Sequence, residues 1–431
     1  MLGRMSERTP EDVRAEVTAW VEEHWDPDLS VAEWWSRLAD SGWAAPTWPE
    51  EWYGKGLSGD VAASARSALS DSEALGPPAG LGIMLAGPTI LAHGTDEQKQ
   101  RYLRPIASGE VAWCQLFSEP GAGSDLASIQ TKAVRDGDEW VVNGQKVWTS
   151  GGQVADLGML VARTNPDAPK HRGISYFGIE MDQPGVDVRP LREMTGRAMF
   201  NEVFFDDARV SNDAVIGGLN EGWPVALTTL ANERVGLGGG AGAVGGAPGR
   251  KGGMLQRRAG DVAAGGGRGG QGGMAAAFGG RGAGMMKMLA QAQGRADDPN
   301  IRQKVAELYT LGEISRYTQL RAKSASAAGR RPGPEASIGK LQVSLMTRKS
   351  RDLGLEILGA HGMLYGSDAP MNGVVQEMAF FSPAVSIYGG SDEIQHNIIG
   401  ERVLGLPKEP AVDTEVPFRD LKVGTQRQPA G

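Results

Sequence analysis

The spacing of hydrophobic residues changes twice along this chain, and those two changes bound what it can fold into. Up to about Glu110 the spacing is helical: in EDVRAEVTAWVEEHW, Val13, Val17, Trp20 and Val21 recur at helix intervals. A second helix is predicted around Val31–Leu38, ending near Gly42. ASARSALSDSEALG and TDEQKQRYLRPIASGE are helical again, the latter with Thr95 as cap and Asp96 and Glu97 in its first turn. GWAAPTWPEEWYGKGLS reads as an ordered loop, because its prolines and glycines exclude long elements while its tryptophans favour burial. From Val111 to about Ile216 the texture becomes short alternating or β-branched runs, KAVRDGDEWVVNGQKVW, DLGMLVART, GISYFGIEM, VDVRPL and NEVFFDDARV. Turn signals at Asp136-Gly137, Asn143-Gly144, Asn165-Pro166 and Gln183-Pro184-Gly185 separate them, which predicts an antiparallel sheet or barrel. Past Trp223-Pro224, where proline suits a first helical turn, the pattern is helical through Leu404.

The chain is therefore read as an α+β multidomain protein. A helical domain (1–111) precedes a central β domain (112–216), a second helical domain (217–409) and a loose polar tail (410–431). One stretch breaks the second helical domain. From Gly236 to Gly284 glycine dominates, with Arg250, Lys251, Arg257, Arg258, Arg268 and Arg281 against one acid, Asp261. Each interior glycine costs a helix about 0.8–1 kcal/mol, so residues 236–284 are read as a flexible insertion. An RGG-like RNA-binding segment at Arg268-Gly269-Gly270 is the alternative, weakened because Phe278 is the only aromatic there.

Composition narrows the function classes. At 431 residues, 40% hydrophobic and 22% charged, the chain suits two or three packed units of an ordinary globular protein. No apolar run approaches the roughly 20 residues a membrane span needs, and MLGRMSERTPEDV lacks a secretory core. The single cysteine, Cys114, precludes an intrachain disulfide, so a cytoplasmic location is expected. A net charge of −8 argues against nucleic acid or anionic membrane as partner, and the five histidines show no metal-ligand spacing.

Two neighbouring stretches carry the chemistry. CQLFSEPGAGSD, Cys114 to Asp125, packs Ser118, Gly121, Gly123 and Ser124 around Pro120, a turn whose N–H groups and hydroxyls can approach a ligand closely. VNGQKVWTSGG, Val142 to Gly152, reads as an Asn-Gly hairpin turn whose return strand offers the Trp148 ring beside the Ser150 hydroxyl. A tight turn and a core indole would also account for these residues; their combined spacing favours a ligand.

Together the two stretches resemble the flavin-binding β domain of the acyl-CoA dehydrogenase family, and the order helical, β, helical matches its architecture. The resemblance runs from about Leu38 to Leu406 apart from the insertion, and is strongest to actinobacterial-type branches. It implies a four-helix bundle as C-terminal domain and FAD as cofactor. Gln115, Phe117, Ser118, Gly123, Ser124, Trp148 and Ser150 would hold the flavin, with Ser124 also meeting substrate. LEILGAHGMLYGSDAP resembles the segment that reaches the FAD of a neighbouring subunit, placing Glu356, Gly359 and Ala360 near the pyrophosphate. A helix C-terminus capped at Gly359 or Gly362 explains the same residues. The family's Arg-x-x-Phe-Gly element has no clear counterpart here, Arg281 substituting poorly.

Many members of the family take the substrate proton with the glutamate of a Tyr-Glu-Gly-Thr segment. The matching stretch here is YGGSDEIQ, and Gly389 stands at the base position. Isovaleryl- and long-chain-type branches instead use a glutamate before an arginine on an earlier helix, which LANERVG matches with Glu233 and Arg234. Glu233 lies at the edge of the Leu227, Leu230, Ala231 stripe, where a shielded carboxylate would be a stronger base. A solvated Glu-Arg pair is the bland reading. By resemblance Arg234 and Tyr388 meet substrate, the Gly389 N–H bonds the thioester oxygen, and Ser391 and Glu393 lie on the cofactor side; Ser391 also suits a helix cap. The implied activity is FAD-dependent α,β-dehydrogenation of an acyl-CoA, with electrons passed to an electron-transfer flavoprotein by a homodimer or homotetramer, or a hetero-oligomer. The rivals are a flavin monooxygenase or acyl-CoA oxidase of the same fold, and a non-catalytic partner subunit with a degenerate flavin site.

Overall fold

Three capping boxes start helices where the sequence places their hydroxyls. Thr9 with Asp12 opens α1 (Pro10–His24), Ser30 with Glu33 opens α2 (Val31–Ser41), and Thr95 with Gln98 opens α5 (Asp96–Ala107). Between them lie α3 (Gly59–Asp71) and α4 (Gly87–His93). The computed structural model describes residues 8–238, 249–264, 282–327, 333–334, 336–408, 410 and 413–421. Val13, Val17, Val21, Trp34, Trp35 and Leu38 form one core with Trp43 and Trp48 of the loop, which is ordered as its tryptophans require. Gly42 ends α2 with φ +80°, and a β-carbon there would meet the Gly54 carbonyl.

The central domain holds β1 (Trp113–Leu116), β2 (Lys132–Asp136), β3 (Glu139–Ser150), β4 (Leu157–Arg163), β5 (Ile174–Glu180), β6 (Val186–Leu191), β7 (Phe200–Ser211) and β8 (Val215–Ile216). They form one sheet in the order β6-β7-β3-β2-β4-β5-β8, with β1 alongside β4. The sheet is mixed, not wholly antiparallel: β1 runs parallel to β4, and β2 meets β4 at one parallel pair, Lys132 with Arg163. The Asn143-Gly144 turn is also corrected. Both residues lie inside β3, where the register against β7 shifts between Val142 and Gly144. The hairpin turn joining β2 to β3 is Gly137-Asp138, one residue on from the expected pair, with Asp136 closing the ladder against Glu139 and Gly137 at φ +62°. Gly144, at φ +152°, passes so close to Thr131 that no side chain fits.

The C-terminal helices are α6 (Gly222–Gly238), α7 (Ala259–Ala264), α8 (Gly282–Ala292), α9 (Pro299–Ala327), α10 (Ala336–Leu358), α11 (Val374–Val385) and α12 (Asp392–Ile398). Helices α8 to α11 bury a common core of Met286, Leu289, Ile301, Leu308, Leu353, Ile357, Val375 and Met378. Tyr365 Oη donates to the Thr195 carbonyl at 3.0 Å, and Arg197 pairs with Glu377, so the β6–β7 connection is fastened to these helices.

Two expectations of looseness fail where the chain is described. Within the glycine-rich stretch, residues 249–264 are packed: Leu255, Ala259 and Val262 are buried in the N-terminal core. The Val31 and Ala32 N–H groups donate to the Arg257 and Leu255 carbonyls, and the Ala259 N–H donates to Leu29. A few apolar residues and a row of backbone bonds suffice to dock a segment that has little helix propensity of its own. Residues 236–238 and 282–284 belong to α6 and α8, while 239–248 and 265–281, including Arg268-Gly269-Gly270 and Arg281, lie outside the described residues. In the tail, residues 413–421 lie on the β domain, with Phe418 buried.

A buried ion pair joins the two signature stretches. Lys146, fully buried on β3, donates to Glu119 Oε1 at 2.8 Å and to the Phe117 carbonyl at 2.9 Å. Glu119 also accepts from the Gln130 and Thr131 N–H groups at 2.7 and 3.0 Å. Burial pushes the Glu119 carboxyl up, but Lys146, Gln130 and Thr131 outweigh it and hold the group below the ordinary carboxylate range. Lys146→Met leaves that carboxylate buried without its cation and should cost about 3–5 kcal/mol in urea unfolding. With the folded pKa depressed, Glu119 stabilises the fold fully above its ordinary value of 4.5 and loses that share as pH falls through the folded value. Glu119→Gln should therefore flatten the acid side of the stability curve.

Candidate active site

The turn after β1 is held from behind and open in front. Glu119 and Ala122 exchange two backbone hydrogen bonds at 2.9 and 3.1 Å, the Ser118 carbonyl accepts from the Val147 N–H at 2.9 Å, and Phe117 is buried. Gly121, Gly123 and Ser124 are exposed, and nothing lies within 4 Å of where a Gly123 side chain would start.

Beside this turn stands Trp148. The register of β3 against β7 shifts again between Lys146 and Thr149, and Trp148 sits in that bulge with φ +63°. The bulge turns the indole outward, 60% exposed, edge-on to Phe200 at 6.0 Å between ring centres. A left-handed tryptophan exposing its ring is strained and solvates apolar surface, which a core role does not explain. Ser150, two residues on, pairs with Phe200 and is partly buried. Close by, Thr149 Oγ1 and Asn201 Oδ1 are buried without a hydrogen-bond partner among the described residues. An outward indole, an open glycine turn and the partly exposed Ser150 fit a flat aromatic group with polar edges, as a flavin is.

Glu233 comes to the same region from α6. Gln115 Nε2, on β1, donates to Glu233 Oε2 at 3.3 Å. Burial pushes the Glu233 carboxyl up; Gln115 and Arg234 pull against it without prevailing. The Tyr388 hydroxyl is pushed up to about 12, by burial first and then by the Glu233 charge. The carboxylate is thus half-buried between α6 and β1, with its charge felt by Tyr388 in the turn before α12, so a fully solvated Glu-Arg pair does not describe it. Arg234 is pushed down by burial and by Arg402, with Glu233 opposing.

Gly389 and Gly390 follow Tyr388 at φ +65° and +86°. A glutamate at 389 would have to hold left-handed backbone, a conformation that favours glycine. Gln395 Nε2 donates to the Gly389 carbonyl at 2.7 Å, fixing the turn from behind. Ser391 caps α12 through the Ile394 N–H, and Glu393 is exposed, its carboxyl lowered by its own backbone N–H and by Ser391. Asp392 anchors the turn to α10, receiving Lys340 at 3.1 Å and Arg348 at 2.7 Å. Burial opposes, yet Arg348, Ser344 and Lys340 hold its carboxylate at about 2.

Three sequence candidates stand apart. Glu356 is taken up by Lys304 of α9, while Gly359, at φ +55°, and Ala360 are exposed. Among the described residues no hydrogen bond or ion pair joins them to the Trp148–Glu233 group. The sequence reading missed the residues that hold the site: Glu119, Lys146, Lys340, Arg348 and Asp392. Lys146 was detectable, since it shares the inward period of Trp140 and Val142 on β3. No cluster of histidine, cysteine or carboxylate among the described residues is placed to hold a metal, and no described helix is long and apolar enough to cross a membrane.

Models of the acyl-CoA dehydrogenase N-terminal, middle and C-terminal domains match residues 5–110, 114–208 and 265–404. The chain is 37% identical over 376 residues to the acyl-CoA dehydrogenase IpdE1 of Mycobacterium tuberculosis, covering 87% of this chain and 88% of that one. It superposes on the Tcur3481-Tcur3483 steroid ACAD with a TM-score of 0.70 at 26% identity, over 93% of this chain and 98% of the other. The ChsE4-ChsE5 complex from Mycobacterium tuberculosis gives 0.68 at 29%, over 95% and 100%. With all three domains matched, the chain belongs to the acyl-CoA dehydrogenase family of flavoprotein oxidoreductases.

Proposed function

We propose that the protein binds FAD and dehydrogenates an acyl-CoA thioester between its α and β carbons, with Glu233 as the base. The observation that carries this reading is the shielded Glu233 carboxylate, bonded to Gln115 at 3.3 Å and felt electrostatically by Tyr388, the residue before the left-handed Gly389 turn. A buried carboxylate with a raised pKa holds an abstracted proton more readily than a solvated one, which is what removing an α-proton requires. Gln115 fixes which oxygen is free, since Oε2 is already bonded. The Gly389 N–H, presented by the turn, donates to the thioester oxygen as charge develops there. Bound FAD supplies the acceptor for the β-hydride. Trp148 covers one face of its ring, while Phe117, Ser118, Gly123, Ser124 and Ser150 line its edge; Ser391 and Glu393 approach from the C-terminal side. Glu356, Gly359 and Ala360 belong to this reading only through a neighbouring subunit.

The electron acceptor in this reading is an electron-transfer flavoprotein, and the working form is a homodimer, homotetramer or hetero-oligomer. Exposed Met363, 90% accessible, with Leu364, Tyr365 and Met371 next to Gly359 and Ala360, supports an assembly that covers this edge. Two structural neighbours are named as two-component proteins, one of them a steroid dehydrogenase, which makes a bulky acyl group the first class to test. A non-catalytic subunit is disfavoured because the shielded carboxylate replaces the base missing at Gly389.

Glu233→Gln should slow flavin reduction by acyl-CoA about 10²–10⁴-fold in stopped-flow absorbance while FAD stays bound. Unchanged reduction would exclude Glu233 as the base. The wild-type pH profile of that rate should rise with pH through a value above 4.5, the ordinary glutamate pKa, because the base must be ionised. Gln115→Leu removes a donor that favours the carboxylate, so its profile should lie still higher. Trp148→Ala should weaken FAD binding about tenfold, as loss of one stacked ring does.

A further inference from the structure

The sequence reading leaves the chain after Leu406 without a role, yet residues 413–421 reach the back of the flavin turn. Asp125 closes the SEPGAGSD stretch, and Lys170 Nζ donates to its Oδ1 and Oδ2 at 3.2 and 3.1 Å. The same ammonium lies 2.6 Å from Asp413 Oδ2, and its side chain is 11% exposed. Asp125 also accepts from Ser128 of the short helix Leu126–Ser128 that follows the turn. One cation thus holds the end of the turn and the C-terminal segment together.

A second cation does the same one layer deeper. Arg163, buried at the end of β4, donates to the Lys170 carbonyl and to the Ala127 carbonyl, each at 2.6 Å. Phe418 closes over its guanidinium at 3.7 Å. The Phe418 and Arg419 N–H groups donate to the Ala168 and Pro166 carbonyls, and Arg419 pairs with Asp167 at 2.8 Å. His171, between Lys170 and this loop's end, packs edge-on to Trp223 in the first turn of α6, the helix that carries Glu233. The segment is therefore bonded to the loop that supports both the turn and α6.

We propose that residues 413–421 form a clasp that sets the geometry of the Ser118–Asp125 turn, with Asp413, Lys170 and Phe418 as positioning residues for flavin binding. The proposal rests on the reading of that turn as the flavin site. Asp413 shares Lys170 with Asp125; without it Lys170 loses its shorter bond and the turn loses a fixed end. Phe418 keeps water from Arg163, whose bonds to Ala127 and Lys170 strengthen when dry.

Flavin fluorescence titration of the full-length apoprotein with FAD tests this, with far-UV circular dichroism as the check on folding. Asp413→Asn/Phe418→Ala should weaken FAD binding about 5–30-fold with the dichroism spectrum unchanged, Lys170→Met should do the same, and Asp413→Glu should keep wild-type affinity. If the double variant does not fold, Asp413→Asn alone, which removes no apolar contact, should still weaken binding at least threefold. Wild-type affinity in Lys170→Met and in Asp413→Asn would overturn the clasp while leaving the flavin site standing. A folded wild-type apoprotein that takes up no FAD would overturn both.

Discussion

The ion pair between Glu119 and Lys146 is the constraint on which the site depends. It ties the turn after β1 to the strand that carries Trp148, two residues beyond the lysine. A buried pair contributes little net stability against an apolar alternative, because desolvation offsets most of the attraction. What it supplies here is position. A carboxylate that also accepts two backbone N–H groups can occupy one place only, and the turn must follow it. The Lys146 bond to the Phe117 carbonyl and the Val147 bond to Ser118 then align the turn with the bulge that turns the indole outward.

From that frame the rest of the site is assembled from the helical domain. Helix α6 brings Glu233 to Gln115 of β1, and Tyr388, in the turn before α12, feels the charge of the same carboxylate. That turn is fastened through Asp392 to Lys340 and Arg348 of α10. Glu233 and Gly389, the proposed base and thioester donor, are thus held by separate segments, the first on α6 against Gln115 and the second in a turn anchored through Asp392. Separate anchoring suits a reaction in which proton removal and charge stabilisation act on adjacent atoms of one substrate.

Much of the fold was legible because it rests on short-range patterns. The caps at Thr95 and Ser391, the helical stripes, and the three-part order of the chain follow from spacing and hydrogen-bonding residues that lie within a few positions of one another. Asn143-Gly144 misled because the dipeptide that favours a two-residue turn also suits a bulge inside a long strand, and only pairing with β7 separates the two. The parallel partnership of β1 with β4, 40 residues apart in sequence, leaves no local mark. Docking of residues 249–264 and 413–421 was invisible for a related reason. Glycine and proline report what a segment cannot form alone, and not which carbonyls elsewhere will receive its N–H groups. Glu233 was singled out because its neighbours match a family pattern, whereas the cations that hold the turns, Lys146 and Lys340, required the fold to become visible.

The central claim is spatial: a flavin ring lies on the Trp148 indole, and the Glu233 carboxylate faces the substrate bound against that ring. A crystal structure of the protein with FAD and an unreactive acyl-CoA analogue measures it directly. The account predicts ring-to-indole contact at about 3.5–4.0 Å, with the free Glu233 oxygen within about 3.5 Å of the analogue's α-carbon. A flavin bound elsewhere, or a Glu233 side chain turned away from the α-carbon, would contradict it.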